Sequence, residues 1–144
     1  MICAAIESAP LTKEGVGVRV PPVVPRILLA DDHAEVRRTV ASMLQAEFQI
    51  VALAEDGGQV IELALRLSPD LMVLDIFMPV VNGIETALRL KAFGCPSRVL
   101  FLTADEDPDL AKVAISVGAL GYVLKARLAT DLVPAIHKAL ERRA

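Results

Sequence analysis

Three acids, a threonine and a lysine each follow a short apolar run, and together they suit the chemistry of a phosphate beside a metal ion. They are Asp31, Asp32, Asp75, Thr103 and Lys125. Clustered carboxylates repel one another, and a divalent cation relieves that repulsion. Oxygen ligands without His or Cys favour Mg²⁺, with Mn²⁺ as the alternative. The ammonium and the hydroxyl then complete a site for a tetrahedral anion.

Asp75 is the residue of this set that can react. It ends the apolar run LMVL, residues 71–74, and an aspartyl carboxylate can form a covalent acyl phosphate. Catalysis at such a site consists of positioning and charge neutralisation. Each residue taken alone has an ordinary structural explanation, such as a helix cap or a turn. The prediction rests on their occurring together.

Short apolar runs alternate along the chain with segments in which apolar residues recur at helical spacing. This pattern predicts the strands and helices that position the three acids, the threonine and the lysine. The runs end at Ala30, Ala54, Leu74, Leu102 and Leu124. Each is followed by apolar residues at helical spacing. Strands that are apolar on both faces predict a parallel sheet covered by helices on both sides. We therefore predict an α/β fold, a doubly wound five-stranded parallel sheet with five helices.

The carboxyl ends of parallel strands meet at one rim of a sheet, where ligands of such folds bind. The first, third, fourth and fifth predicted strands each deliver one of the polar groups to that rim. The second strand ends near Glu55 and Asp56 and contributes nothing that we assign. The alternation thus predicts that the acids, the threonine and the lysine lie together.

Composition excludes several other classes of function. The 144 residues carry a net charge of −3 and include one Tyr and no Trp, so neither a basic surface for nucleic acid nor a base-stacking platform is expected. No apolar stretch reaches membrane-spanning length. The two cysteines have no metal-ligand or redox spacing, which favours a reduced, cytoplasmic setting. Residues 1–25, with four prolines, are predicted to be a flexible leader to a domain over residues 26–144.

Four motifs of the sequence resemble the receiver domain of two-component response regulators. They occur in the family's order and spacing and are ILLADDH (27–33), LDIFMPVVNGIE (74–85), VLFLTA (99–104) and GALGYVLKA (118–126). The resemblance covers the chain from about Arg26 to its end. It implies a flavodoxin-like sheet of order 2-1-3-4-5.

The resemblance also implies a role for each site residue. Asp75 would accept phosphate from a histidine kinase or a histidine phosphotransfer protein. Asp32 and Asp75 would bind Mg²⁺ directly together with the backbone carbonyl of Phe77, while Asp31 would act through a metal-bound water. Lys125 would pair with a phosphoryl oxygen.

The family further implies a conformational switch and an output surface. Thr103 would hydrogen-bond a phosphoryl oxygen, and Tyr122 would turn inward once Thr103 moves. The output partner, which the sequence does not name, would bind the face formed by helix 4, strand 5 and helix 5, and a homodimer is one form this binding can take. Such a domain is a signalling module and not a turnover enzyme.

Several positions depart from common receiver patterns or have ordinary explanations. Ala126 stands where many receivers have proline, so the 125–126 peptide bond is expected to be trans. This, with DDH at the first strand, resembles the nitrate-regulator/LuxR-type subfamily, whose members usually carry a DNA-binding helix-turn-helix. His33 is predicted to be helix-start surface. His137 is predicted to lie mid-helix with no carboxylate constellation, so it is not expected to be a phosphotransfer histidine. Pro134 is compatible with the last helix only in its first turn.

Other functions remain open at this point. A phosphohydrolase acting through an aspartyl phosphate usually needs an acid two residues after the nucleophile, and Phe77 occupies that position. A flavodoxin-like cofactor binder would want a Gly, Ser or Thr-rich loop where this chain has DDHAE. The remaining alternatives are a receiver fragment of a longer DNA-binding transcriptional regulator and a docking module that works without phosphorylation.

Overall fold

A computed structural model describes residues 24–141 of the chain. The predicted leader lies, up to residue 23, outside the described residues. Within residues 24–141 no helix is both long and apolar enough to cross a membrane.

Strands and helices alternate along the described residues as the apolar pattern predicts. The strands are β1 (Arg26–Ala30), β2 (Gln49–Ala54), β3 (Leu71–Asp75), β4 (Arg98–Thr103) and β5 (Gly121–Leu124). The helices are α1 (Ala34–Leu44), α2 (Gly57–Leu67), α3 (Gly83–Ala92), α4 (Pro108–Ser116) and α5 (Leu128–Glu141), with a 3₁₀ turn (Lys125–Arg127) before α5.

The strands form one parallel sheet in the order β2-β1-β3-β4-β5, which confirms the predicted flavodoxin-like topology. Its register pairs Asp75 with Leu102 and Thr103 with Leu124. The strand ends that carry the predicted site residues therefore lie side by side at one rim.

The sheet separates two hydrophobic clusters. The first cluster packs β-strand side chains against α1 and α5 and includes Leu44 and Ile136. The second packs the opposite face of the sheet against α2, α3 and α4 and includes Leu90 and Ala114. Both faces of the central strand β3 are buried, as its apolar run predicts.

Three of the helices that follow strands begin with an acid or an asparagine whose side chain caps the helix. Asp56 accepts a hydrogen bond from Gln59 N–H, and Asn82 accepts one from Glu85 N–H. At the start of α4, Asp107 accepts a hydrogen bond from Asp109 N–H, directly before Pro108. These caps satisfy N–H groups that lack partners inside the helix and fix the ends of the loops at the rim.

The expectation that Pro134 lies in the first turn of the last helix is wrong. The last helix starts at Leu128, directly after the 3₁₀ turn, so Pro134 lies in its second turn. An ion pair one turn apart, Arg127 Nε to Asp131 Oδ2 at 2.8 Å, supports this earlier start. Proline has no N–H for the carbonyl of Thr130, and the helix continues past that missing bond. The described residues contain no cis peptide bond, which confirms the trans bond before Ala126.

Candidate functional site

The rim of the sheet brings the two most buried acids of the site against one lysine. Asp31 and Asp75 are almost fully buried, at 0% and 3% exposure. Lys125 Nζ lies 2.7 Å from Asp31 Oδ2 and 3.2 Å from Asp75 Oδ2. The N–H of Phe77 donates to Asp75 Oδ1 at 3.3 Å. One ammonium thus faces two buried carboxylates.

One ammonium does not neutralise two buried carboxylates, and this imbalance shifts the pKa values of Asp75 and Lys125. Burial raises the pKa of the Asp75 carboxyl, and the charge of Asp31 raises it further, against the opposing effects of Lys125 and the Phe77 N–H. Burial lowers the pKa of Lys125, but its contacts with Asp31 and Asp75 raise it more, so the net pKa lies above its ordinary value. Lys125 is therefore a permanent cation, and the site retains excess negative charge.

Asp32 and His33 extend the acidic group toward solvent. The Asp32 side chain is 33% exposed and that of His33 is 67% exposed. Asp31, Asp32, His33 and Asp75 each offer one ligand atom, and these four atoms lie within 4.8 Å of one another. The group joins the end of β1 to the end of β3.

The donor set at the rim fits a divalent cation. The fully buried Asp31 Oδ2 accepts no well-oriented hydrogen bond from any residue in the described part of the chain, although it forms the ion pair with Lys125. Three carboxylates opposed by one ammonium favour a further positive charge, and carboxylate oxygens are ligands for Mg²⁺. The role of the Phe77 carbonyl as a metal ligand stays a prediction.

Gly83 allows α3 to begin directly against the end of β3. Its N–H donates to the carbonyl of Ile76 at 2.7 Å. A Cβ on Gly83 would stand 2.3 Å from the carbonyl oxygen of Asp75. No side chain fits there without moving backbone, so this glycine holds the loop after Asp75 against the site.

Arg37 is a site-supporting residue that the sequence did not single out. Its Nη1 donates to the backbone carbonyl of Asp31 at 2.6 Å, and its Nη2 lies 3.9 Å from Glu55 Oε2. The guanidinium therefore ties the loop after β1 to the loop after β2. No sequence signal indicated this role, because it depends on the direction that the Arg37 side chain takes at the start of α1.

Thr103 and Tyr122 meet at one residue on the other side of the rim. The buried Thr103 Oγ1 accepts the N–H of Asp105 at 3.0 Å, and Tyr122 donates its hydroxyl to the Asp105 carbonyl at 2.9 Å. Burial and the neighbouring carboxylates, Asp105 first among them, raise the pKa of Tyr122, which keeps this hydroxyl a donor. The two predicted switch residues are thus connected through the backbone of Asp105.

The two histidines lie at opposite ends of the molecule. His33 is at the start of α1 with an exposed side chain, as predicted, but its ring also contacts the acids of the site. His137 lies within α5, as predicted, and its Nε2 lies 2.8 Å from Glu47 Oε1. Glu47 lies in the turn before β2, and no sequence pattern links that turn to α5.

Comparison with known proteins identifies the family. Residues 27–137 match the response regulator receiver domain. The chain belongs to this family. It is thus a receiver domain of two-component signalling, as its motifs indicated, and the acidic rim lies where that family's motifs occur in the sequence.

Individual relatives support the same assignment. The receiver domain is 37% identical over 118 residues to the transcriptional regulatory protein PdtaR of Mycobacterium tuberculosis, covering 81% of this chain and 57% of PdtaR. It is 31% identical over 115 residues to the chemotaxis protein CheY of Halobacterium salinarum, covering 80% of this chain and 96% of CheY.

A solved structure agrees with the fold. The signal receiver domain of the response regulator NarL from Mycobacterium tuberculosis superposes with a TM-score of 0.79 at 31% identity, covering 85% of this chain and 100% of that one. The chain spans little more than half the length of several relatives, including PdtaR, at 57%, and the nitrate/nitrite regulator NarL of Escherichia coli, at 53%.

Proposed function

We propose that this receiver domain accepts a phosphoryl group on Asp75 in a Mg²⁺-dependent reaction and thereby changes its binding to a partner. The observation that carries the proposal is the buried Asp75 carboxylate beside the Lys125 ammonium, 3.2 Å away, within a group of acids that fits a divalent cation. Receiver domains interact with histidine kinases, and a kinase or a histidine phosphotransfer protein is the proposed phosphodonor.

The chain's own groups account for the transfer. An Asp75 carboxylate oxygen attacks phosphorus, a P–O bond to Asp75 forms, and the bond from phosphorus to the donor nitrogen breaks. The raised pKa of Lys125 keeps it cationic, so it is available to neutralise a phosphoryl oxygen. Asp31, Asp32 and Asp75 would hold Mg²⁺, which supplies charge neutralisation for the phosphoryl oxygens.

The output is proposed to be altered binding at the face of α4, β5 and α5. Only Ala114 of α4 is fully buried, and Val113 and Ile115 are 44% and 57% exposed, so apolar surface is available on this helix. The contact of Thr103 and Tyr122 with Asp105, just before α4, gives the site a route to this face. A partner protein or a second copy of the chain would bind there.

We propose a signalling role and not a turnover enzyme, because the loop after β3 supplies Phe77 and no acid two residues beyond Asp75. A free thiol at Cys95 is compatible with a reducing, cytoplasmic setting. Membership of a longer DNA-binding regulator is likewise a proposal, motivated by relatives that are named as transcriptional regulators and are longer than this chain.

Intact-mass measurement with Mg²⁺ and acetyl phosphate tests the function. The wild-type chain should gain one phosphoryl group, about 80 Da from the added PO₃H. Asp75→Asn should gain none, and chelation of Mg²⁺ should prevent the gain. Asp109→Asn, an exposed acid in the first turn of α4, is the matched control and should label normally. No mass gain in the wild type, or an equal gain in Asp75→Asn, would contradict the proposal.

A further inference from the structure

His33 turns its ring toward the acids of the site although it stands at a helix start. His33 Nδ1 lies 3.1 Å from Asp32 Oδ1 and 3.2 Å from Asp31 Oδ1. Its own backbone N–H donates to Asp31 Oδ1 at 2.9 Å, which fixes the residue relative to that carboxylate. Its side chain makes no capping hydrogen bond to α1. The ring is therefore directed to the acids and not to the helix terminus.

The positions of the four side chains suit a single ion. Two ligands on opposite sides of a metal are separated by about 4.2 Å when each bond is about 2.1 Å long. One atom each from Asp31, Asp32, His33 and Asp75 lies within 4.8 Å of the others, a spread close to that separation. Lys125 is the one ammonium that these three carboxylates face among the described residues, so the donor set has room for a further positive charge.

We propose that His33 Nδ1 is a ligand of the bound metal and makes the site selective for divalent transition metals over Mg²⁺. Mg²⁺ prefers oxygen ligands and retains water, whereas imidazole nitrogen strengthens the binding of Ni²⁺ and Zn²⁺. In the ligating form the imidazole is neutral, carries its proton on Nε2 and gives up its present contacts with the two carboxylates. The inference rests on the proposed function, because it uses the same acidic group.

The chain has a second histidine that can serve as a control for His33. The sequence has two histidines, His33 and His137, and the second is paired with Glu47 at the far end of the molecule. His137→Asn is therefore a matched control for His33→Asn. A chain without an affinity tag is required, because a histidine tag binds the same metals.

Calorimetric titration with Ni²⁺ and with Mg²⁺ measures selectivity directly. His33→Asn should weaken Ni²⁺ binding by about tenfold or more while leaving Mg²⁺ binding within about twofold, and His137→Asn should change neither. His33→Gln should behave like His33→Asn, which guards against a folding defect in one variant. Unchanged or tighter Ni²⁺ binding in both His33 variants would overturn the inference, since tighter binding is the result expected if the ring competes with the metal.

A spectroscopic measurement identifies the ligand atom. With ¹⁵N-labelled histidine, Zn²⁺ should shift the Nδ1 resonance of His33 and leave His137 unshifted. A Zn²⁺ titration that shifts neither histidine would also overturn the inference. If the wild type still binds Mg²⁺ and gains the phosphoryl mass while these results fail, only the role of His33 is wrong. If Mg²⁺ binding and the mass gain are both absent, the proposed function itself fails.

Discussion

The carboxylate of Asp75 is held in an electrostatically unfavourable place. Burial and the charge of Asp31 both raise its pKa, and a single lysine partly compensates. The folded state therefore holds a proton on Asp75 more tightly than the unfolded chain does. Ionisation of this residue at neutral pH lowers the free energy of unfolding, so the proposed phosphoacceptor role has a cost in stability.

Replacing this charge should stabilise the protein. Stability contributed by the neutral form of Asp75 is lost as pH rises from its unfolded pKa, near 3.8, through the raised folded pKa. We expect Asp75→Asn to be more stable than the wild type at pH 7 by about 1 kcal/mol, with the difference shrinking toward acid pH. Urea denaturation followed by circular dichroism across this pH range measures it. Equal or lower stability of the variant at pH 7 would contradict the charge argument.

Removing the lysine should have the opposite effect. Lys125→Met leaves the buried Asp31 and Asp75 without a neighbouring cation, and such a loss costs about 3 kcal/mol of unfolding free energy. Lys125→Arg retains the charge and should lose less. Lys91→Met, at an exposed lysine of α3, is the control and should stay within about 0.5 kcal/mol of the wild type. Thermal or urea denaturation that ranks Lys125→Met beside Lys91→Met would show that the ion pairs contribute little.

The side chain of Phe77 is expected to lengthen the lifetime of the acyl phosphate on Asp75. Its N–H contacts Asp75, while its side chain is 56% exposed and so is not committed to the core. If this side chain leans over the site it excludes the attacking water, so we expect the acyl phosphate of Phe77→Asn to decay faster than that of the wild type. The measurement is the half-life of the added mass after the phosphodonor is removed. A wild-type phosphate that decays sooner than the variant's would refute this role.

That the residues of the proposed site lie together was predictable from sequence, whereas their supporting contacts were not. Asp75 and Lys125 stand at the ends of apolar runs, and parallel strands necessarily bring such ends together. The ring of His33 and the guanidinium of Arg37 reach the site because of side-chain directions at the start of α1. Those directions depend on rotamers and on the entry angle of the helix, neither of which a residue pattern specifies.

At the scale of elements, the loop between β3 and α3 contains a strained residue. Val80 has φ of 71°, and the N–H of Val81 donates to the carbonyl of Pro79 at 2.8 Å, which closes a turn around Val80. A β-branched residue is unfavourable at positive φ. The side chain is 81% exposed, so no burial offsets the strain. The strain lies within the loop that follows Asp75.

Relieving this strain should stabilise the domain. Val80→Gly is expected to raise the free energy of unfolding by about 1 kcal/mol, because glycine adopts positive φ without a steric penalty. The same substitution at Val113, an exposed residue within α4, should instead lower it by about 0.5 kcal/mol. Chemical denaturation of the two variants gives both values. Destabilisation by Val80→Gly would mean that the turn needs its side chain.

Which elements form was predictable because apolar periodicity and helix caps act locally, as Asn82 and Pro108 illustrate. The residue at which α5 starts was not predictable from the sequence. Pro134 suggested a later beginning, but the preceding 3₁₀ turn and the burial of Leu132 and Ile136 against the sheet extend the helix upstream. Tertiary packing overrides a local rule at this position.

For the domain as one cooperative unit, the proposed metal binding is linked to folding. An ion that binds only the folded site raises the free energy of unfolding by about 2.7 kcal/mol when its free concentration is about 100 times Kd. We expect added Mg²⁺ to raise the melting temperature, EDTA to reverse the rise, and Asp32→Asn to abolish it. Differential scanning calorimetry measures these shifts. An equal rise in Asp32→Asn would place the ion elsewhere.

The sheet also has a consequence for how this sequence can change over generations. Its backbone lies between the cluster facing α1 and α5 and the cluster facing α2, α3 and α4. Substitutions on opposite sides lie in different clusters, so we expect their effects on stability to add. A lineage can therefore alter the layer beneath α2, α3 and α4 without compensating changes in the layer beneath α1 and α5. The two layers are free to evolve at different rates while the acids between them stay in place.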